Sequence, residues 1–312
     1  STFSGTIICN LRLLKNQWHL VSSPVDDETY DDDYVAENLL AVNGSNNAIS
    51  TYAPATNSWA YMLTGAAAAN FNAGQGYSVR RETGQSAGDI SFTGTINTAS
   101  VETSSLAAGF NLLGNPYTSF INSATFLGAA TSSNLDQTQI WLWNQATASY
   151  DTKVANDAFK IAPGQGFFVK SDGASGSVSI LESYQSHESD TFQRPQLNPE
   201  IYLTLTDDSK SRLAKIYYIE GTTTSFDNGY DGEMFGATSN AFAIYTHLVG
   251  NEQGQVGNSQ GHGYAVQSLP TDNYENMIVP VGVNAESGTP ITIDVSTNNF
   301  PSGINIYLED KQ

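Results

Sequence analysis

An internal repeat with a period of about 90 residues occupies the first part of the chain, and it limits the folds that the chain can adopt. The segment 18–24 (WHLVSSP) returns as 110–116 (FNLLGNP), and the segment 73–79 (AGQGYSV) returns as 163–169 (PGQGFFV). The blocks that lie between these segments return in the same order. The chain is therefore expected to build the same supersecondary unit twice.

The repeated blocks have the composition of short antiparallel strands. They are rich in Thr, Val, Ile, Tyr and Phe, and they are bounded by Gly, Asn, Ser and Pro, which is typical of strands that are joined by hairpins. Residues 52–59 and 143–150 predict hairpin loops between strands that carry aromatic side chains. Helix is expected only as short turns, at residues 66–69 and 123–130.

The residue composition of the chain changes near residue 190. Residues 183–191 form a polar linker, and Pro195 and Pro199 follow it, so the sequence predicts a domain boundary there. Seven further strands are predicted, at residues 201–205, 214–219, 241–245, 264–269, 277–281, 291–295 and 304–308. Seven short strands in about 110 residues favour a β-sandwich, either Ig-like or jelly-roll-like.

The predicted fold class is therefore all-β, with three parts. We expect β repeat 1 at residues 1–91, β repeat 2 at residues 92–190, and a C-terminal β-sandwich domain at residues 191–312. The two repeats are tandem antiparallel units that we expect to pack together.

The charge balance excludes several classes of partner. The chain has 12 Lys and Arg against 31 Asp and Glu, a formal net charge of -19, so nucleic acid or an anionic membrane surface would be repelled. No run of 18 apolar residues is present, so no membrane-spanning helix is predicted. Charged residues make up 14% of the chain, against roughly 25% in average soluble domains, and this profile suits an extracellular all-β protein.

Several blocks carry a resemblance to known proteins. They are residues 57–79, 109–117, 226–233, 264–270, 279–283 and 306–311. These segments resemble the C-terminal regions of large secreted Bacteroidota proteins, where such segments precede a type IX secretion sorting domain. The resemblance implies export across the outer membrane and a cell-surface or extracellular location. It also implies that the chain is truncated or matured at Gln312, and it carries over no catalytic residues.

Two acidic segments are candidate Ca²⁺ sites. Residues 26–37 hold seven carboxylates in twelve residues, and Asp26, Asp27, Asp31, Asp32 and Asp33 are candidate ligands there because Ca²⁺ prefers carboxylate oxygens. The alternative is a solvated loop, because the segment lacks EF-hand spacing and repeat 2 has no acid at the corresponding residues 118–122.

The second acidic segment contributes two further candidate ligands, Asp227 and Asp231. Its alternative is a rigid turn, in which Asp and Asn side chains bond to their own backbone.

Five aromatic residues are candidate ligand-binding residues, because sugar rings stack on aromatic faces. They are Trp141, Trp143, Tyr150, Tyr52 and Trp59. Trp143 aligns with Tyr52, and Tyr150 aligns with Trp59, so these four also suit a role in the scaffold. Trp141 aligns with a serine, which favours a contact surface specific to repeat 2. The alternative for Trp141 is a ring that fills the interface between the repeats.

No catalytic motif stands out. Residues 84–88 (GQSAG) match the nucleophile pattern of serine hydrolases but lack the following helix, and the histidines, among them His187 and His262, have no zinc spacing. We therefore predict a non-enzymatic, cell-surface accessory or adhesive module of a type IX secreted protein, with glycan or a surface protein as partner and Ca²⁺ as the candidate cofactor. The alternatives are a structural spacer that presents an N-terminal catalytic domain, or part of a polysaccharide-degrading enzyme. The paired carboxylates of such an enzyme are close in space but not in sequence, so their spacing in the chain does not reveal them.

Overall fold

The computed structural model of the chain describes residues 5–13, 17–82, 88–103, 106–129, 134–145, 147–173, 176–186, 198–250, 256–257, 261–272 and 276–310. The prediction of an all-β chain is confirmed, because the described residues contain 26 strands and only two short α-helices. The chain divides into two compact units, Ser1–Asp190 and Thr191–Gln312. Both repeats lie in the first unit.

Repeat 1 folds around one five-stranded sheet. Its described elements are β1 (Thr6–Leu13), β2 (Trp18–Val21), β3 (Val25–Asp26), β4 (Thr29–Tyr30), α1 (Asp32–Glu37), β5 (Val42–Asn43), β6 (Asn46–Ala53), β7 (Ser58–Leu63), β8 (Ala69–Asn70), β9 (Tyr77–Arg80) and β10 (Gly88–Ile96). The sheet has the order β2-β9-β6-β5, and β7 also pairs with β6. Strand β10 pairs with β1 and β3, and β4 pairs with β8.

Repeat 2 repeats this arrangement. Its described elements are β11 (Val101–Glu102), β12 (Gly109–Gly114), β13 (Phe120–Asn122), α2 (Ser123–Gly128), β14 (Gln139–Asn144), β15 (Ser149–Val154), β16 (Lys160–Ile161), β17 (Gly166–Ser171), β18 (Ser179–Ile180) and β19 (Gln185–Ser186). The sheet order β12-β17-β14-β15 corresponds to β2-β9-β6-β7. In the same way, β11-β18 corresponds to β1-β10, and β16-β13 corresponds to β8-β4.

The boundary predicted between residues 91 and 92 is wrong, because it lies inside β10. The whole length of this strand pairs within repeat 1, first with β1 and then, at Thr95 and Ile96, with β3. Repeat 2 therefore begins after Ile96. The predicted start of repeat 2 is too early because β10 has nine residues, whereas its counterpart β18 has two. The end of β10 therefore includes a block that resembles the opening strand of repeat 1.

Local predictions within the repeats are mostly confirmed. The predicted hairpins are β6–β7, which turns through the 3-10 turn Pro54–Thr56, and β14–β15. The predicted helical turn at residues 123–130 is α2, and Asn122 caps it by accepting a hydrogen bond from the Ala124 amide at 2.9 Å. The predicted turn at residues 66–69 is not helical.

The two repeats bind each other through reciprocal glycine turns. The amides of Ser22 in repeat 1 and Gly114 in repeat 2 occupy corresponding positions and donate to Gly164 O at 2.8 Å and to Gly74 O at 3.0 Å. The turn of repeat 1 thus bonds to the end of β12, and the turn of repeat 2 bonds to the end of β2. We call these two contacts the reciprocal glycine turns.

Glycine is required in these turns because the backbones approach closely. A Cβ atom at Gly76 would lie 2.5 Å from Leu113 O, and a Cβ atom at Gly166 would lie 2.9 Å from the carbonyl carbon of Leu20. Gly74 and Gly164 also adopt left-handed backbone angles, φ 77° and 64°. The Gly-Gln-Gly segments that occur in both repeats are therefore interface elements.

The second unit is built on one seven-stranded sheet. Its strands are β20 (Glu200–Thr206), β21 (Ser211–Tyr218), β22 (Gly232–Glu233), β23 (Ala243–Thr246), β24 (Tyr264–Leu269), β25 (Val281–Asn284) and β26 (Thr292–Asn298). The order is β25-β23-β24-β21-β20-β26, with β22 paired to β24.

The sheet of the second unit differs from the predicted sandwich in its pairing. The described strands join a single sheet because β21 pairs in parallel with β24, which links the early and late strands of the unit. Residues 304–308 form no strand, and Tyr307 is 84% exposed. The seventh strand of the sheet is the short strand β22, which was not among the predicted strands.

Candidate functional site

The five candidate aromatic residues come together around one buried ring, Phe168. Its ring centroid lies 4.9 Å from that of Tyr52, 6.1 Å from that of Trp59 and 5.6 Å from that of Tyr150. Trp143 joins the group through Tyr150, at 5.0 Å. Tyr52 and Trp59 belong to repeat 1, whereas the other rings belong to repeat 2. We call this group the inter-repeat aromatic cluster, and with Trp141 and Phe110 it has seven members.

Trp141 is not a contact surface, and that prediction is wrong. Its side chain is fully buried, at 0% exposure, in strand β14, where Trp141 lies opposite Phe168 of β17. Phe110 covers it, with ring centroids 5.1 Å apart. The alternative is a ring that fills the interface between the repeats; the Trp141 ring contacts Phe110 and lies opposite Phe168, both of repeat 2, and Phe168 contacts repeat 1.

The other four rings are half-buried, and they contact one another edge to face. The interplanar angles are 71° between Tyr52 and Trp59 and 64° between Trp143 and Tyr150. Each pair lies directly across a hairpin. Aromatic pairs in this geometry stabilise a core by about 1 kcal/mol each beyond the burial of their area. Burial, with Tyr52 nearby, also raises the pKa of Tyr150 above its ordinary value.

The carboxylates of the first acidic segment accept hydrogen bonds from the protein. Asp31 is the N-cap of α1, and its Oδ1 accepts from the Tyr34 amide at 3.0 Å. Asp32 accepts from Asn47 Nδ2 and from the Gly65 amide, both at 2.8 Å. Asp32 and Asp33 lie in the first turn of α1, where the helix dipole favours negative charge.

Three further acids of this segment, Asp26, Asp27 and Glu28, lie beside strand β10. Glu28 accepts from the amides of Thr29 and Thr93, and Asp27 accepts from Thr95 Oγ1 at 3.4 Å. Burial raises the pKa of Glu28 and of Asp26 above their ordinary values. In the structure, the segment predicted as a ligand loop forms a capped helix and makes hydrogen bonds to strand β10.

Asp227 and Asp231 form a hydrogen-bonded turn, as in the predicted alternative to a Ca²⁺ site. Asp231 is 1% exposed, and its two oxygens accept from the amides of Ser268 and Asp227, both at 2.6 Å. Asp227 in turn accepts from the Thr223 amide at 2.5 Å. Burial raises the pKa of Asp231 to about 7.

Among the residues that the structure describes, no group of three or more His, Cys, Asp or Glu side chains is placed to hold a metal ion.

A carboxylate–histidine pair that the sequence analysis did not predict lies in the second unit. Glu233 of β22 is 5% exposed, and its Oε1 lies 2.5 Å from Nδ1 of His262. This contact places a proton on Nδ1 of the partly exposed ring, directed at the carboxylate. His247 bonds to the backbone of His262, and burial lowers the pKa of His247. Glu233 and His262 are 29 residues apart, so no sequence spacing could indicate the pair.

The remaining candidates from the sequence are His19, His187 and the hydrolase-like pattern. His19 is 6% exposed, and its Nδ1 lies 2.9 Å from Gln17 O. His187 and residues 84–87 of the hydrolase-like pattern lie outside the described residues. None of the helices in the described part of the chain has the length and hydrophobicity to cross a lipid bilayer.

Comparison with known proteins gives one match. A family model with the description "Domain of unknown function (DUF8693)" matches residues 148–312, which extend from β15 through the second unit. No curated protein matches the chain, and no solved structure matches it.

Proposed function

The chain belongs to the family of the domain of unknown function DUF8693, and from its geometry we propose that it is a non-catalytic accessory module that acts as a rigid spacer in a secreted protein. The observation that carries this proposal is the interface between the repeats. The reciprocal glycine turns and the inter-repeat aromatic cluster join both repeats without a flexible connection. A module of this kind holds a neighbouring domain at a fixed distance.

The contacts that the candidate site residues make favour a spacer over an adhesive module. The predicted contact rings pack on one another, and the predicted ligand carboxylates accept hydrogen bonds from backbone amides. Groups that are satisfied in this way stabilise a fold and leave less chemistry for a ligand. The proposed extracellular location and type IX export derive from the resemblance and from the acidic, charge-poor composition.

Mechanical unfolding of the whole chain tests the spacer. If the repeats resist force as one body, residues 1–190 unfold in a single event that releases about 650 Å of extended chain. Two events of about half that length would contradict the proposal. The Gly76→Val variant should convert the single event into two, because its side chain would collide with Leu113 O. Gly128→Ala is the matched control, since no atom lies within 4 Å of the added methyl group.

Glycan binding is the second candidate, and one observation favours it. The indole nitrogen of Trp143 is buried and has no hydrogen-bond partner within the described residues. The Trp143 ring is half-buried at the rim of the inter-repeat aromatic cluster, so a shift of the ring would present this N–H group to a sugar hydroxyl. A glycan array should give a signal that falls in Trp143→Phe, which keeps an aromatic ring but removes the N–H group. An array without any signal, or one that is unchanged in this variant, would exclude this candidate.

A further inference from the structure

Repeat 1 has an open groove beside helix α1. The groove has a volume of about 380 Å³, and its lining includes Val35, Leu39, Val42 and Glu82. It is formed where the end of α1 meets the short edge strand β5. The rigid-spacer function does not require this groove.

The groove is bordered by large aliphatic side chains that face solvent. Leu39 is 41% exposed, Val42 is 55% exposed, and Leu63, the residue before the lining residue Thr64, is 54% exposed. Single exposed aliphatic residues are common on protein surfaces, whereas adjacent ones around a concavity are typical of interaction sites.

Leu39 also adopts a backbone conformation that disfavours leucine. Its φ angle is 51°, in the left-handed region where glycine is the usual residue. The conformation is fixed from both sides, because the Leu39 amide donates to Ala36 O at 3.2 Å and the Leu39 carbonyl accepts from the Glu82 amide at 2.8 Å. A leucine that is strained and also exposed contributes little to folding at this position.

The charged residues that line the groove, Asp32 and Glu82, are both acidic. Glu82 is exposed in the lining, and Asp33 and Glu37 are exposed on α1. No Lys or Arg occurs among the described residues that line the groove. The adjacent Arg81 is 6% exposed, and its guanidinium donates to the carbonyls of Asn38 and Asp89. A ligand in the groove would therefore meet aliphatic side chains at the centre and free carboxylates at the rim.

The corresponding segment of repeat 2 lacks these large aliphatic residues in its sequence. After α2 the chain continues as AATSS at residues 129–133, so an alanine aligns with Leu39 and a serine aligns with Val42. The shared scaffold therefore folds without large aliphatic residues at these positions.

We propose that the α1 groove docks a short extended peptide of a partner protein, in which aliphatic and basic side chains alternate. The aliphatic side chains contact Leu39 and Val42, and the Lys or Arg side chains lie near Glu82, Glu37 and Asp33. A second copy of this chain is disfavoured as the occupant, because each copy has a formal net charge of -19. A glycan is disfavoured because the lining offers no aromatic face.

A fluorescence anisotropy titration with synthetic peptides tests the proposal on the full chain. The probe is a labelled ten-residue peptide of alternating Leu and Lys, and the control peptides replace Lys by Glu or Leu by Ser. We expect the Leu-Lys peptide to bind at least tenfold more tightly than either control. Equal binding of the Ser-Lys peptide would show attraction by charge alone and would overturn the proposal, as would the absence of any binding.

The Leu39→Gly variant separates docking from folding. It removes the aliphatic contact and relieves the left-handed strain, so we expect at least tenfold weaker peptide binding together with an equal or higher melting temperature. Ile8→Thr is the matched control, because Ile8 is 66% exposed on β1 and does not line the groove. Unchanged affinity in Leu39→Gly, or self-association of the wild type that Leu39→Gly abolishes, would overturn the proposed occupant.

Discussion

The two repeats share most of their strand pairings but differ in the lengths of the paired strands and in the helix caps. Repeat 1 has a long β1–β10 pair of eight registered positions and an Asp-capped helix, whereas repeat 2 has a two-residue β11–β18 pair and an Asn-capped helix. The shared parts are the central sheet, the hairpins and the glycine turns. The acidic segment belongs to the sequence of repeat 1 alone, and the groove lies beside the helix of that segment. The comparison indicates that topology depends on the shared parts and that the acids are a local addition.

The aromatic cluster shows a second asymmetry. Phe168 occupies the centre of the cluster, whereas its counterpart in repeat 1 is Ser78. The repeats therefore share one aromatic core at their interface, although their backbones bond reciprocally.

The largest effect should come from removing the centre of this cluster. Phe168→Ala should lower the free energy of unfolding of the first unit by about 4 kcal/mol, because a fully buried ring is deleted beneath several others. Ser78→Ala, at the corresponding position, should cost about 1 kcal/mol or less. Urea denaturation of both variants checks the difference, and equal losses would show that the cluster is not centred on Phe168.

The glycine turns should respond equally in both repeats. Gly76→Val and Gly166→Val should each cost about 3 kcal/mol, because each side chain collides with the backbone of the other repeat. Gly128→Ala should be neutral or slightly stabilising in the same denaturation series. A loss confined to one of the two valine variants would contradict the reciprocity of the contact.

The helix caps give a smaller and matched pair of effects. Asp31→Ala and Asn122→Ala should each lower stability by about 1 kcal/mol, because each leaves an amide of the first helical turn without its acceptor. Addition of Ca²⁺ should not change the loss in Asp31→Ala, since this carboxylate acts as a cap. A melting temperature that rises with Ca²⁺ in the wild type but not in Asp31→Ala would restore the ligand interpretation.

The smallest effect should appear in the pH dependence, through Glu28. Burial, and secondarily the nearby acids Glu37 and Asp31, raise its pKa in the folded state above the ordinary value of 4.5. The folded state then binds a proton that the unfolded state has already released, so the contribution of Glu28 to stability falls as the pH rises from about 4.5 through the raised pKa. Thermal unfolding between pH 4.5 and 7 should show a shallower decline in Glu28→Gln than in the wild type. An identical slope in both proteins would exclude this contribution.

The sequence predicted the parts of the fold that depend on local pattern. The repeat, both hairpins and α2 were predictable because turn residues and strand composition lie next to each other in the chain. Helix α1 was not, because the three consecutive aspartates that begin at Asp31 suit a cap and a metal loop equally well. The parallel pairing of β21 with β24 joins segments far apart in sequence, so the sandwich prediction had no means to anticipate a single sheet.

The candidate site was less predictable for a related reason. Trp141 and Trp143 have the alternation of one strand face, but the pattern does not say whether that face meets solvent or another sheet. In the structure Trp141 lies opposite Phe168, and the ring of Phe168 contacts Tyr52 and Trp59 of repeat 1. Glu233 and His262 meet only because β22 pairs with β24, and two residues of β22 leave almost no trace in composition.

The reciprocal glycine turns have a consequence for the origin of the first unit. The two contacts are equivalent under the alignment of the repeats. Val21 faces Gln165, and their counterparts Leu113 and Gln75 face each other, which is the isologous contact of a C2 homodimer. The unit is in effect a dimer that is carried on one polypeptide, as gene duplication and fusion would produce. Once fused, the halves no longer needed to be identical. One half was then free to acquire Phe168, and the other was free to acquire an acidic helix.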